Sequence, residues 1–350
     1  MNNSAVETIL KAAIRAPSGD NLQPWKIVPN ENKIDFIPVS TRDGSLYNTG
    51  DRGTFFSLGA LVENAIIAAE HVGFVTELVY RGAHGASLYF KENPAGQHRD
   101  AKIQNGATYE AIFKRCTNRF PYEKELLTSE QKQAMRGVFK AIHIHDIALR
   151  FLDAPQLELT QCLSVNERLV FENRRLHHDF FSTLSWSGTD LDKMPVYSLG
   201  LPLIGLCMFK LARSWPRLDV LNKIGFSKMI PKQTALLYQA CGGYGALLAH
   251  HTDTTSYFNA GRGMQRIWLE ATIQQLAIQP LNGIILLRHA IKQNTELPLS
   301  ENQKSLIIEK YNAIKNMLAT EQEILFMFRI GKPTTGTLIT PRMDLSNVLE

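Results

Sequence analysis

Apolar positions along the chain repeat with two different periods. A period of about 3.6 residues indicates helices, and a period of about two residues, or a short apolar run, indicates strands. The helical stretches are 5–15, 58–72, a stretch that begins at Gly263, and 301–319. The strand-like stretches are 26–28, 33–39, 75–81, 86–91, 283–288 and 324–330. This mixture predicts an α+β fold.

Two glycine-led helices suggest that the chain consists of two related halves. The stretch 59–74 can be aligned with 263–278, with apolar positions matching and each helix followed by a strand. A polar stretch at 92–106 is typical of a linker. We therefore predict a first half at 1–105 and a longer second half at 106–350. The alternative is two similar helices that pack in one core.

Composition and charge narrow the class of protein. The chain has 350 residues, of which 44% are hydrophobic and 20% charged, as in an ordinary soluble globular protein. No secretory signal is evident, so we expect a cytoplasmic protein. Glycine and proline interrupt the longest apolar run, 196–209, so we do not expect a transmembrane helix. Four scattered cysteines indicate neither a disulfide framework nor a metal site. A net charge of +5 does not imply nucleic-acid binding.

One segment, 193–232, is far more basic than the rest of the chain. Seven lysines and arginines stand against Asp219 alone, a net charge of +6 that exceeds the +5 of the whole protein. Leu218, Leu221 and Ile224 repeat within it at helical spacing. We interpret the segment as a pair of helices that covers a pocket like a lid. Weak contact with an anionic lipid surface, or with a phosphate-bearing substrate, is the other interpretation.

The segment 16–25 is typical of a ligand-binding turn. Pro17 ends the opening helix, Ser18 begins a turn, and the side-chain amides of Asn21 and Gln23 offer both donors and acceptors. Such a short stretch of polar groups is suited to contact with a ligand. A tight turn from helix to strand, anchored by Trp25, would give the same pattern.

A second polar cluster is suited to phosphate binding. Arg115 and Arg119 flank Thr117 and Asn118, so two guanidinium groups and two short polar side chains fall within five positions. Charge-assisted hydrogen bonds from arginine are worth about 1.5–3 kcal/mol each, and two of them would hold a phosphate firmly. A solvated basic loop is the alternative.

These segments resemble motifs of the FMN-dependent nitroreductase superfamily. The first is similar to its Pro-Ser-x-x-Asn-x-Gln-Pro-Trp segment, and the second to its Arg-x-Ser/Thr-x-Arg phosphate motif, in the Arg-x-Thr-Asn-Arg form of the Acg-type FMN-binding family. Two further segments are similar: a Pro-x-x-Gly turn near Gly283, and a late arginine after an Arg-Ile-Gly strand. By this resemblance the cofactor-binding residues are Pro17, Ser18, Asn21, Gln23, Arg115, Thr117, Asn118, Arg119, Asn282, Gly283 and Arg342.

The resemblance implies a nitroreductase-like fold in which two unequal halves form an internal pseudo-dimer around one noncovalent FMN per chain. Arg115, Arg119 and Arg342 would hold the phosphate, and the backbone of Asn282 and Gly283 would lie near flavin N5. Hydride would pass from NAD(P)H, bound transiently, through N5 to a small-molecule acceptor, with no protein acid or base and no metal required. The chain would be a monomer or a weak homo-oligomer.

A different class of function fits the same residues. The protein could store or sequester FMN, with 193–232 closing the flavin site and preventing turnover. A third reading is a scaffold that keeps the fold without the cofactor. The amount of flavin bound per chain distinguishes the third reading from the other two.

Overall fold

A computed structural model describes residues 3–92, 99–294, 296–336 and 338–350, without the side chains of 99–105. The chain is a mixture of helices and sheets, as the hydrophobic periodicity predicts, and both four-stranded sheets are antiparallel. Of the expected linker, 93–98 lie outside the described residues. The remainder of that prediction is wrong, because the chain is helical from Arg99 onward and the helix runs through the expected boundary between the halves.

The first half is built around one long buried helix. Its elements, in chain order, are α1 (Asn3–Ala13), β1 (Trp25–Pro29), β2 (Lys33–Pro38), α2 (Arg52–His71), β3 (Phe74–Tyr80), β4 (Ala86–Glu92) and α3 (Arg99–Lys114). The four strands form an antiparallel sheet in the order β1-β2-β4-β3. Almost every side chain of α2 from Thr54 to Ala69 is buried, so this helix lies in the core and not on the surface.

The second half begins with a helix and a strand and then carries a large helical insertion. These elements are α4 (Ser129–Lys140), β5 (Ile147–Asp153), α5 (Leu157–Leu163), α6 (Val165–Glu172), α7 (Arg174–Ser182), β6 (Leu184–Ser185), β7 (Met194–Pro195), α8 (Leu203–Ala212), α9 (Trp215–Lys223) and α10 (Phe226–Gln239). The basic segment 193–232 therefore contains parts of three helices, where a pair was predicted. Buried Phe209 and Leu218 pack these helices against Phe171 and Phe181.

The chain then returns to complete a second sheet. The remaining elements are β8 (Gly243–Ala249), α11 (Thr254–Ile273), β9 (Ala277–Pro280), α12 (Gly283–Gln293), α13 (Glu301–Met317) and β10 (Glu323–Gly331). The sheet has the order β5-β8-β10-β9, again antiparallel throughout. Both sheets therefore have the same topology, and in each half one long helix, α2 or α11, connects the second strand to the third.

Helices α2 and α11 cross through reciprocal contacts between glycine and backbone. A Cβ atom on Gly59 would overlap the carbonyl oxygen of Phe258, and one on Gly261 would overlap the carbonyl oxygen of Phe56. Each glycine therefore packs against the backbone of the residue that lies three positions before the glycine of the other helix. This reciprocity is typical of a two-fold symmetric interface. In the structure Gly261 is the counterpart of Gly59, whereas the sequence alignment pairs Gly59 with Gly263, two positions later.

Near the same crossing, a buried ion pair joins the two long helices. Arg262 and Arg266 on α11 donate to the Glu63 carboxylate of α2 through Nε, at 2.8 and 2.5 Å. Because burial weakens the hydration of the carboxylate, the two charge-assisted hydrogen bonds replace water as its partners. The halves are therefore connected by both close backbone packing and charge.

Most predicted elements are confirmed, with shifts of their ends. The helix expected at 58–72 begins earlier, at Arg52. The strand expected at 283–288 is wrong: these residues begin α12, and the strand after α11 is β9. Ile284, Leu287 and Ile291 recur at helical spacing and are all buried, a pattern that a short apolar run conceals. Within the described residues, no helix is both long and apolar enough to cross a bilayer.

Candidate functional site

A cavity of about 1370 Å³ lies between the crossing helices and the helical insertion. Its volume exceeds the ~300–1,000 Å³ common for small-molecule sites, so a cofactor and a second ligand could share it. Of the residues that the sequence singles out, six line the cavity: Pro17, Ser18, Thr117, Arg119, Asn282 and Gly283. The other five, Asn21, Gln23, Arg115, Asn118 and Arg342, lie in the surrounding structure and do not line it.

The amide side chains of the turn after α1 hold other segments of the chain in place. Asn21 donates through Nδ2 to the carbonyl oxygens of Leu191 and Lys193 at 3.0 and 3.1 Å. Gln23 donates through Nε2 to the carbonyl oxygen of Leu191 at 2.7 Å and accepts from the Met343 N–H at 2.9 Å. These groups fix the chain before the insertion and near the C-terminus, and so support the wall of the cavity.

Left-handed backbone conformations give this turn its shape. Asp20, Asn21 and Gln23 have φ angles of 46°, 67° and 49°, which non-glycine residues rarely adopt. The Ser18 hydroxyl accepts from the Gln23 N–H at 3.0 Å and closes the turn. Backbone strain of this kind persists where surrounding contacts hold it, often at binding sites. Pro17 and Ser18 are thereby presented to the cavity.

Arg342, which the sequence analysis predicts as a phosphate ligand, lies at the same turn. Its Nη1 donates to Asn21 Oδ1 at 2.7 Å, and its Nε donates to the Ala16 carbonyl oxygen at 3.2 Å. Burial lowers the pKa of Arg342 well below its usual value, and the charges of Arg115 and Arg15 lower it further. A buried guanidinium beside two other guanidinium groups is unfavourable unless an anion neutralises part of their positive charge.

Arg115 has buried donors that make no hydrogen bond to any of the described residues. Its guanidinium carbon lies 4.6 Å from the centre of the Trp268 ring, and Nη2 donates to the Arg15 carbonyl oxygen at 3.2 Å. Its Nε and Nη1 are buried without a hydrogen-bond partner, and so is the nearby Asn118 Nδ2. Burial, assisted by Arg15, lowers the pKa of Arg115 to about 10.

We call Arg15, Arg115 and Arg342 the arginine cluster. None of its members pairs with an acidic side chain within the described ranges 3–92, 99–294, 296–336 and 338–350. Native structures leave few buried polar groups unsatisfied, and unpaired donors of this kind call for a missing partner. Three cations and two unpaired arginine donors fit a phosphate group in chemistry and charge.

Arg119 reaches a different wall of the cavity, where it influences an acidic group. Burial raises the pKa of Asp20 to about 6 and the charge of Asp43 adds to the shift, while Arg119 opposes it. Asp20 Oδ2 accepts from the Thr183 hydroxyl at 3.1 Å. Arg119 donates to the Ser198 carbonyl oxygen at 3.4 Å and also lines the cavity. It is therefore placed to attract an anionic ligand group.

The turn at Asn282 and Gly283 leads from β9 into α12. Asn282 Oδ1 accepts from the Met327 N–H at 2.7 Å, which fixes the turn against β10. A Cβ on Gly283 would overlap the side chain of Asn166, so only glycine fits there without movement of that side chain. Both residues line the cavity, as does Asn166.

Sequence reasoning missed a pair of acidic and phenolic groups in the same cavity. Tyr238 donates from its hydroxyl to Glu167 Oε1 at 2.7 Å, while Glu167 Oε2 is buried without a partner. Burial raises the pKa of Glu167 to about 7. Nearby, the Tyr47 hydroxyl donates to Asn166 Oδ1 at 2.9 Å. No local motif marks these residues, because each pair joins distant parts of the chain.

Comparisons with known proteins give distant similarities. No family model matches the chain. The uncharacterized protein MT1398 of Mycobacterium tuberculosis is 25% identical over 303 residues, which are 82% of this chain and 40% of that protein. The chain thus spans well under half the length of this curated relative.

Solved structures to which the chain is similar include nitroreductases. The FMN-dependent nitroreductase NfnB from Mycobacterium smegmatis, in complex with NADPH, matches at 13% identity and a TM-score of 0.39, covering 70% of this chain and 97% of that one. The NfrA1 nitroreductase from B. subtilis matches at 12% identity and a TM-score of 0.37, covering 69% of this chain and 72% of that one. At this level the matches do not assign an activity.

Proposed function

We propose that the protein binds one FMN per chain and acts as an oxidoreductase of nitroreductase type. The observation that carries this proposal is the arginine cluster, in which Arg115 is buried and Arg15 and Arg342 are half-buried. Within the described part of the chain the cluster has no acidic partner and retains unpaired donors behind a large cavity. Phosphate is the group of FMN that such donors would bind. The sequence motifs and the fold of the nitroreductases named above are consistent with it.

The residues of the chain fall into three groups around such a cofactor. Arg115 and Arg342 would hold the phosphate with help from Arg15, while Asn21 and Gln23 would keep the supporting segments in place. Pro17, Ser18, Thr117 and Arg119 line the cavity and would contact the ribityl chain or the ring edge. The turn at Asn282 and Gly283 would present backbone to the flavin ring. Bound FMN would supply the redox chemistry, taking hydride from NAD(P)H for a small-molecule acceptor.

We also propose that the halves at 1–105 and 106–350 mimic a dimer inside one chain. Their sheets share the orders β1-β2-β4-β3 and β5-β8-β10-β9. The reciprocal contacts of Gly59 and Gly261 support the same two-fold relationship. A chain that supplies both halves of a site needs no second copy for it, which favours a monomer or a weak homo-oligomer.

The first test is the amount of flavin per chain and its dependence on Arg115. We expect about one FMN per chain, and Arg115→Met should weaken FMN binding about 10- to 150-fold, the equivalent of one charge-assisted contact. Arg136→Met is the matched control, because Arg136 also stacks on a ring, 5.3 Å from the centre of Phe151. Full FMN affinity in Arg115→Met would overturn the site assignment.

An FMN storage protein is the second candidate, favoured by one feature. Side chains of α8 and α10, including Phe209 and Met229, line the cavity and narrow the room for a nicotinamide. Anaerobic addition of NADH or NADPH to the FMN-loaded protein separates the two functions. Loss of the oxidised flavin absorbance would support the reductase, and bound FMN that neither nucleotide reduces would support storage.

A further inference from the structure

The insertion helices α8, α9 and α10 expose an unusual amount of apolar surface. Leu203, Ile204 and Ile224 are 83%, 81% and 82% exposed, and more than half of Val220, Met229 and Leu236 is also exposed. Single exposed apolar side chains are common on soluble proteins, but a continuous group of them marks an interaction surface. We call these six residues the apolar rim.

Basic side chains accompany the apolar rim on the same helix faces. Lys210 is exposed on α8 seven positions after Leu203, so the two side chains share one face of the helix. Lys223 lies three positions after Val220 on α9, and Lys232 lies three positions after Met229 on α10, one turn after exposed Lys228. Apolar side chains surrounded by lysine are the pattern of helices that lie in a membrane interface.

The apolar rim also borders the mouth of the cavity. Ile204, Ile224 and Met229 line the cavity and are at the same time mostly exposed to solvent. Phe209 and Ile230 continue the apolar lining inward from them. An apolar molecule could therefore move from the surface into the cavity without crossing a polar barrier.

We infer that α8, α9 and α10 bind the surface of an anionic lipid bilayer, with the mouth of the cavity facing the lipid. The apolar rim would enter the interface, and the lysines would lie at the level of the lipid phosphates. The net charge of +6 on 193–232 is complementary to anionic lipid, whereas the rest of the chain carries a slight negative charge. If the proposed function holds, the electron acceptor is a lipid-soluble molecule that enters from the bilayer.

Vesicle flotation tests the surface without any use of flavin. The purified full-length chain is mixed with vesicles of phosphatidylcholine alone, or of phosphatidylcholine and phosphatidylglycerol at 3:1, in low and high salt. We expect binding to the anionic vesicles, weakened by salt as screening requires. Because no redox step is measured, the outcome is independent of whether the protein binds FMN.

Two pairs of variants locate the contact. Ile204→Ser with Ile224→Ser should lower binding about 10-fold or more, and so should Lys223→Gln with Lys228→Gln. The matched controls are Leu126→Ser with Leu157→Ser, at exposed leucines outside the insertion, and Lys124→Gln with Lys140→Gln. The controls should bind as the unmodified protein does. Thermal unfolding of all four variants verifies that each one is folded.

Four results would overturn the inference. Equal binding to neutral and anionic vesicles, or no binding to either, removes the electrostatic basis. Loss of binding in the controls with retention in the insertion variants would place the contact elsewhere. A stable dimer in the absence of lipid that Ile204→Ser with Ile224→Ser converts to a monomer would identify a second copy of the chain as the occupant of the apolar rim.

Discussion

The guanidinium of Arg115 stacks on the indole of Trp268, with 4.6 Å between the guanidinium carbon and the ring centre. This contact holds a buried cation in place without neutralising it. Trp268 also lines the cavity, so the stack connects the arginine cluster to the space where a ligand would lie. Arg115 itself does not line the cavity and lies behind the indole of Trp268.

Inorganic phosphate should stabilise the flavin-free protein. The pKa of Arg115 is lowered to about 10 by burial and by Arg15, so at neutral pH the folded state carries a charge that is more favourable in the unfolded chain. A bound anion relieves this cost. At a concentration ten times the dissociation constant, we expect a gain of about 1.4 kcal/mol in the free energy of unfolding.

Denaturant titrations in phosphate and in chloride at equal ionic strength measure this gain. Arg115→Met should lose most of it, and Arg136→Met should keep it. An equal gain in all three proteins would mean that phosphate acts through general salt effects and not through the arginine cluster.

Glu167 should make the protein less stable as the pH rises. Its pKa is about 7 in the folded state because of burial, against an ordinary value of 4.5. Between these values the folded state retains a proton that the unfolded chain has lost, so the free energy of unfolding falls as the pH increases through this range. Glu167→Gln keeps the shape and cannot ionise, and it should remove this decline.

The measurement is urea unfolding from pH 4.5 to 8 for the unmodified protein, Glu167→Gln and the exposed control Glu158→Gln. Only Glu167→Gln should show a difference in stability from the unmodified protein that grows in its favour from pH 5 to pH 8. An unchanged slope in that variant would show that another group titrates in this range.

Local motifs predicted several residues that line the candidate site, but they did not predict the ionisable groups that give the site its chemistry. Ser18, Thr117, Asn282 and Gly283 line the cavity, because short turn motifs fix their own backbone and direct their groups. Arg342 reaches Asn21 across almost the whole length of the chain, and neither the spacing nor the resemblance predicts that contact. The residues of each motif could be found from the sequence because they are close together along the chain.

Other features depend on contacts that no local pattern encodes. Glu167 and Tyr238 are 71 positions apart, and the raised pKa of Glu167 comes from burial that only the folded chain creates. Arg15 appeared to be only the end of a helix, although it completes the arginine cluster. The apolar run after Gly283 was predicted as a strand, whereas its isoleucines are buried at helical spacing in α12.

Gly59→Ala should strongly destabilise the crossing of α2 and α11. The new methyl group would overlap the Phe258 carbonyl oxygen, and backbone atoms cannot move aside as a flexible side chain can. We expect a loss of about 1–3 kcal/mol or more in the free energy of unfolding. Gly137→Ala, in α4 with open space around it, is the control and should instead stabilise the protein by about 0.5–1 kcal/mol. Similar stabilities for the two variants would contradict the tight crossing.

Glu63→Gln should weaken the connection between the two halves. Glu63 is fully buried and accepts hydrogen bonds from Arg262 and Arg266. Burial raises the pKa of Glu63, but the two arginines together lower it below the usual value. The ion pair therefore contributes stability above pH 4.5 that is lost as the pH falls through the depressed pKa. Removal of the charge leaves two arginines facing a neutral amide, at a cost of about 3–5 kcal/mol.

The control for this change is Glu77→Gln, which breaks an exposed ion pair with Lys91. An exposed pair of this kind is worth about 0–1 kcal/mol, so the two variants should differ clearly in urea unfolding at pH 7. Glu63→Gln should also show a shallower loss of stability on acidification than the unmodified protein, because the group that titrates is gone. If both variants unfold alike, close packing at Gly59 and Gly261 holds the halves together and the buried charges add nothing to it.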